Sequence, residues 1–219
     1  MDDVERWRLL WGTLRATGKP DELLADLQRG YASPGRYYHT IEHIRACLEE
    51  LDSARHLCKR PECVELALWF HDVVYDPRAK DNEEQSATML LQAARRMGLA
   101  EELAGHAARI VRETAHADPA GRGAPDIDAA LARDVDLAIL GKPQPVFAAY
   151  ERAIRKEYGF LPDSEFHAGR ARVLEGFLAR PTIYLVELFR GKYEEGARAN
   201  LAQSLEALRK GTPRSAIRP

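Results

Sequence analysis

Apolar residues recur at spacings of three and four along almost the whole chain, the period of an amphipathic helix. Residues 4–14 and 21–28 carry it and are separated by Gly18-Lys19-Pro20, a helix stop followed by a helix start. From His39 to Ser53, Ile41, Ile44, Leu48 and Leu51 fall on one stripe. Pro61 opens a run over 63–74 that is apolar almost all round, so the helix it predicts belongs at the centre of the core. Asp81 with Glu84 has the form of a capping box and starts a helix reaching Met97, and 101–114 predicts another. Further helices are predicted over 129–140, with Gly141 as C-cap, and over 145–158, 164–179 and 194–208. Neither a strand's period of two nor an internal repeat is found, so the expected fold class is all-α.

Length and composition narrow this picture. A domain commonly holds ~100–200 residues, and 219 residues suit one core. With 45% hydrophobic and 30% charged residues, the disordered, collagen-like and fibrous classes are excluded. No apolar run approaches the ~20 residues that span a bilayer, and Asp2, Asp3, Glu5, Arg6 and Arg8 leave no uninterrupted apolar stretch for a signal peptide. A cytoplasmic protein without a membrane partner is expected. The 34 acidic residues against 32 basic lack the basic excess of a nucleic-acid binder, so no nucleic acid polymer is expected as partner. Cys47, Cys58 and Cys63 are odd in number and form no CxxC, which reads as buried thiols in a reducing compartment, packing the core without chemistry. The Gly/Pro-rich stretch 117–125 is the candidate linker or loop, and 211–219 reads as a frayed, disordered tail.

Chemistry-bearing residues stand out where they interrupt apolar runs. His39 and His43 lie four apart, which on one helix projects both from the same face, adjoining Ala46 and Cys47. They either line a cavity or form an exposed pair. His71-Asp72 follows Leu66-Ala67-Leu68-Trp69-Phe70 and precedes Val73-Val74; an unpaired carboxylate there would cost several kcal/mol or protonate. A cation, or a basic side chain delivered from elsewhere, resolves that. Asp136 repeats the pattern within Val135-Asp136-Leu137-Ala138-Ile139-Leu140, whereas Asp134 beside Arg133 is expected to face solvent or pair locally. Three helices thus each bring His or Asp into apolar surroundings, and mixed imidazole and carboxylate ligands suit Mn, Fe, Co, Ni or Zn, with Mg less usual.

The order His43, His71-Asp72, Asp136 on an all-helical chain resembles the HD superfamily of metal-dependent phosphohydrolases. The likeness extends to Arg36-Tyr37-Tyr38-His39-Thr40-Ile41-Glu42-His43-Ile44, Trp69-Phe70-His71-Asp72-Val73-Val74-Tyr75-Asp76, Asp81-Asn82-Glu83-Glu84-Gln85-Ser86-Ala87, Asp136-Leu137-Ala138-Ile139-Leu140-Gly141 and Ile154-Arg155-Lys156-Glu157-Tyr158, which look like one bacterial subgroup of HD phosphohydrolases. A motif that begins at His43 and closes at Asp136 makes the Gly/Pro-rich stretch a loop inside one HD-type domain over 1–210.

The resemblance implies a small phosphorylated metabolite or nucleotide as substrate and one or two divalent ions on His43, His71, Asp72 and Asp136. A bound water is the implied nucleophile toward phosphorus, and Asp72 bridges if two ions are present. By likeness to cyclic-nucleotide phosphodiesterases His39 is the general acid, with ligation by His39 as the other registration. Glu83 or Glu84 is an alternative acid or base, Glu84 being also explained as a helix-cap partner. Arg36, Lys80, Arg155 and Arg170 are candidate phosphate donors by nearness to the motifs in sequence. A second metal draws on histidines between the HD pair and Asp136; His116 is preferred, with His106 read as an exposed helix residue. Two other functions fit the same residues: a nucleotide sensor without turnover, and a di-iron oxygenase, which needs the second site.

Overall fold

The structure, a computed structural model, describes residues 2–115 and 126–211. The loop expected over 117–125, His116 and, save for Gly211, the tail expected over 211–219 lie outside the described residues. Those described form α-helices and 3₁₀ turns with no strand, an all-α fold. Contacts group the chain into two compact units, Met1–Asp136 and Leu137–Pro219, a division that does not fall in the Gly/Pro-rich stretch.

The first unit holds α1 (Asp3–Thr13), α2 (Pro20–Tyr31), α3 (Ile41–Ala54), α4 (Pro61–Phe70), α5 (Asn82–Arg96), α6 (Glu101–Glu113) and α7 (Ile127–Asp136). Helix α4 packs against α1, α3, α5, α6 and α7, as its all-round apolar pattern requires. Every residue from Cys63 to Phe70 is buried, including Glu65. Each large apolar side chain there stabilises the fold by roughly 1.5–3 kcal/mol. The Glu65 carboxylate is held by Arg6 Nε at 2.9 Å and Arg55 at 2.5 Å, the ion pairing that a buried charge demands. Trp7 meets Trp11 and Trp69 edge-on, with ring centroids 5.4 and 5.2 Å apart.

Several boundaries differ from the sequence reading, each for a tertiary reason. Helix α4 stops at Phe70, so His71 and Asp72 sit on the turn that follows it. Side chains from elsewhere hold the helix end and the turn after it: Tyr31 Oη donates to Trp69 O at 3.0 Å, and Arg36 donates to the turn carbonyls of Asp72 and Val73 at 2.6 and 2.7 Å. Helix α3 begins at Ile41, with the N–H groups of His43 and Ile44 donating to Thr40 O. His39 therefore precedes the helix and does not share a helical face with His43. The capping box does not form: Asp81 precedes α5 without a side-chain cap bond, and Glu84 turns outward to Arg112 at 2.6 Å. Asp134 is fully buried instead of facing solvent. His106 is not an exposed helix residue: its Nε2 lies 2.9 Å from the buried Asp128, which accepts the N–H groups of Lys59 and Arg60.

The second unit holds a 3₁₀ segment (Leu137–Gly141), α8 (Gln144–Glu157), α9 (Asp163–Leu178) and α10 (Glu187–Gly211). Helix α10 starts seven residues earlier than its periodicity indicates, because Phe189 and Tyr193, four apart, both bury. Gly141 is not a left-handed helix cap. It ends the 3₁₀ segment where a Cβ would lie 2.5 Å from Tyr193 Cβ and 2.6 Å from its carbonyl oxygen, so its role is close approach to α10.

Candidate metal centre

His43 stands at the third position of α3, His71 and Asp72 on the turn closing α4, and Asp136 at the end of α7. Because α7 packs on both α3 and α4, these residues meet in the first unit. His71 Nδ1 lies 2.9 Å from the Leu68 carbonyl, which can only accept, so Nδ1 carries hydrogen and Nε2 points its lone pair inward when the ring is neutral.

The four side chains converge closely. The two Nε2 atoms of His43 and His71 face each other at 3.2 Å. Asp72 Oδ2 lies 3.0 Å from His71 Nε2 and 3.4 Å from His43 Nε2. Asp136 Oδ1 lies 3.1 Å from His43 Nε2 and 3.6 Å from His71 Nε2. Donors ~2.1 Å from a common ion stand about 3.0 Å apart at a right angle and about 3.4 Å apart at a tetrahedral one. Four of the five separations lie between those edges and the fifth, 3.6 Å, is slightly longer, and the donor set of two imidazoles and two carboxylates fits a divalent cation. The imidazole side chains are 2% and 1% exposed against 17% and 14% for Asp72 and Asp136, so the accessible side of the cluster is its carboxylate side.

Without a cation the same geometry traps protons. Burial opposes charge on both imidazoles, but is outweighed at His43 by Cys47, Tyr38, Asp136 and Asp72, and at His71 by the two carboxylates; both are held well above the ordinary histidine range. Burial likewise opposes ionisation of Asp72, and the charges of His71 and His39 with the imidazole hydrogen bonds overcome it, holding the carboxyl well below its ordinary value. At 3.2 Å the facing nitrogens accommodate one proton between them, so the direction applies to the pair, not to two independent cations.

Cys47, one turn beyond His43, enters the cluster. His43, Cys47, His71 and Asp136 each offer a ligand atom, all within 4.8 Å of one another, and this buried group can hold a metal ion. Cys47 is buried in the core, as its apolar setting indicates, and its thiol also lies within reach of the cluster.

The other expected residues surround the centre or lie elsewhere. His39, on the segment before α3, stacks on Tyr75 with centroids 4.1 Å apart and stands 6.0 Å from the His43 ring. Arg36 donates to the carbonyls of His39, Asp72 and Val73 and lies over the rings of Tyr31 and Tyr75. It thereby ties the segment before α3 to the turn after α4. Glu83, half-buried, is in the first turn of α5, and the start of α5 is pinned to the loop after Asp72 by Asn82 on Asp76 and Ser86 on Val74. Lys80 is exposed on the same loop.

Arg155 and Arg170 belong to the second unit. Arg155 pairs with Asp163 at 2.7 Å and donates to Tyr158 and Leu161 carbonyls, and Arg170 is bound by Glu151 and by Tyr150 Oη. Among described residues no helix is long and apolar enough to cross a membrane. No family model, curated protein or solved structure matches the chain.

Proposed function

We propose that this protein is a metal-dependent phosphohydrolase of the HD type, cleaving a phosphate monoester or diester of a small metabolite or nucleotide. The observation that carries this reading is the convergence of two imidazole nitrogens and two carboxylates within 3.0–3.6 Å, with the carboxylates on the accessible side. A divalent ion held there (Mn, Fe, Co, Ni, Zn or Mg), one or a pair, supplies a water of lowered pKa and a Lewis acid for phosphoryl oxygen.

The chain's own residues do the rest. His43 and His71 hold the site through Nε2, the latter oriented by Leu68 O. Asp72 and Asp136 neutralise charge and face the entry. His39, steadied by its stack on Tyr75, protonates the leaving oxygen. Glu83 is the second candidate for proton transfer, and Lys80 provides a cation on the same loop for substrate phosphate. Arg36 acts through backbone carbonyls as a positioning residue.

The test is hydrolysis of aryl phosphate monoesters and diesters and of a nucleotide panel by metal-loaded protein. Turnover that requires added metal and disappears in Asp72→Ala is expected. A metal-loaded protein inert on every ester, yet thermally stabilised by one nucleotide, would overturn the enzyme reading in favour of a sensor.

A further inference from the structure

Cys47 is buried in the middle of α3, four residues beyond His43 and on the same face. Its Sγ stands 3.7 Å from both Nε2 and Nδ1 of His43 and belongs to the group of ligand atoms, with His71 and Asp136, that lie within 4.8 Å of one another. A sulfur ~2.3 Å and a nitrogen ~2.1 Å from one ion at a tetrahedral angle are about 3.6 Å apart. The 3.7 Å spacing needs almost no adjustment on that edge. Neither of the other two cysteines takes part in the group, and burial holds their thiols up, Cys58 at about 11 and Cys63 at about 12.

We infer that Cys47 is a ligand of the metal centre, giving it a mixed Cys/His/Asp donor set that selects a thiophilic divalent ion, zinc or cobalt, over magnesium or manganese. The inference rests on the proposed metal-dependent function and adds to it the class of ion. Binding breaks the Cys47 S–H bond and forms a metal–sulfur bond, and the proton leaves to solvent, one per ion bound. A soft thiolate among imidazoles favours zinc and cobalt, whereas carboxylates and water alone would suit magnesium and manganese. Helix α3 thus supplies two ligands one turn apart, and the α4 turn and α7 supply the others.

The test uses the full chain, titrated with Co(II) and, by competition, with Zn(II) and Mn(II). Wild type is expected to show near-ultraviolet thiolate-to-cobalt charge-transfer absorption, absent from Cys47→Ala and Cys47→Ser, both still binding Co(II). Zn(II) affinity is expected to fall about tenfold or more in the variants, with Mn(II) affinity changed by less than about threefold. Co(II) binding that depends on His71 but shows no charge-transfer band, with Zn(II) affinity retained in Cys47→Ala, would overturn the inference and leave the metal site standing. No His71-dependent metal binding in wild type would overturn both. Should Cys47→Ala fail to fold, Cys47→Ser keeps the side-chain volume, and the wild-type band is itself decisive.

Discussion

Arg36 offers the sharpest way to separate architecture from chemistry at this centre. Its guanidinium makes three hydrogen bonds of 2.6–2.9 Å to the carbonyls of His39, Asp72 and Val73, and lies over two tyrosine rings. A hydrogen bond to a charged donor contributes ~1.5–3 kcal/mol, so three give an upper range of about 4.5–9 kcal/mol. Solvent reaches this half-buried site and replaces part of the loss, leaving a net effect of about 3 kcal/mol for Arg36→Ala. For a chain of this size that is ~6–12 °C in unfolding temperature. Freed from its donor, the HD turn no longer presents Asp72 in register, and metal affinity should fall ~10–100-fold. Arg36→Lys should recover less than half of either effect, since one ammonium cannot bridge three carbonyls. Thermal unfolding of the metal-free protein and metal titration read the two effects separately. Unchanged stability and metal affinity with a raised KM would refute the reasoning and make Arg36 a phosphate donor instead.

Three further outcomes follow from the same geometry. In wild type a ligating ion at 100 times its Kd should stabilise by ~2.7 kcal/mol, or ~5–11 °C, and His71→Ala should lose that shift while keeping its helical far-ultraviolet spectrum; an equal shift in both would contradict ligation by His71. In metal-free protein the imidazole contribution is full below the ordinary histidine value of 6.5 and lost as pH rises through the raised value of the folded pair, whereas the Asp72 contribution is present above 3.8 and lost as pH falls. Chemical denaturation across pH should therefore find greatest metal-free stability between those two values and a decline above them, with metal affinity rising over the range where the pair gives up its proton; a metal-free stability that climbs past pH 8 would contradict the assignment. His39→Asn should lower kcat with metal retained, and loss of the metal would show it to be a ligand.

The helices were legible because each buries one stripe, and α4, with no polar stripe, was legible as the centre. Most ends fall within a residue of the expected ones, but those of α2, α3, α4, α7 and α10 do not. Where α4 stops goes with Tyr31 reaching the Trp69 carbonyl and Arg36 holding the carbonyls of the turn beyond it, both from more than 30 residues away, and local pattern holds no trace of that. His39 stands ahead of α3, its ring stacked on Tyr75 and its carbonyl accepting from Arg36. His71, Asp72 and Asp136 stood out because a charge or imidazole inside an apolar run requires a partner, whereas His43 came from its spacing to His39 and its place in the His, His-Asp, Asp order. Cys47 could not be separated from ordinary core, since a thiol satisfies an apolar pattern equally well until His71 is brought beside it. Gly141 shows a related ambiguity: a glycine after a helix fits a cap and a close helix contact alike, and only the position of Tyr193 decides.

Anomalous diffraction from crystals grown with Zn(II) or Co(II) tests the central claim most directly. The account predicts a peak about 2.0–2.3 Å from His43 Nε2, His71 Nε2 and a carboxylate oxygen of Asp72 or Asp136. At saturating metal, no peak there and the two imidazoles still hydrogen-bonded to each other would contradict it.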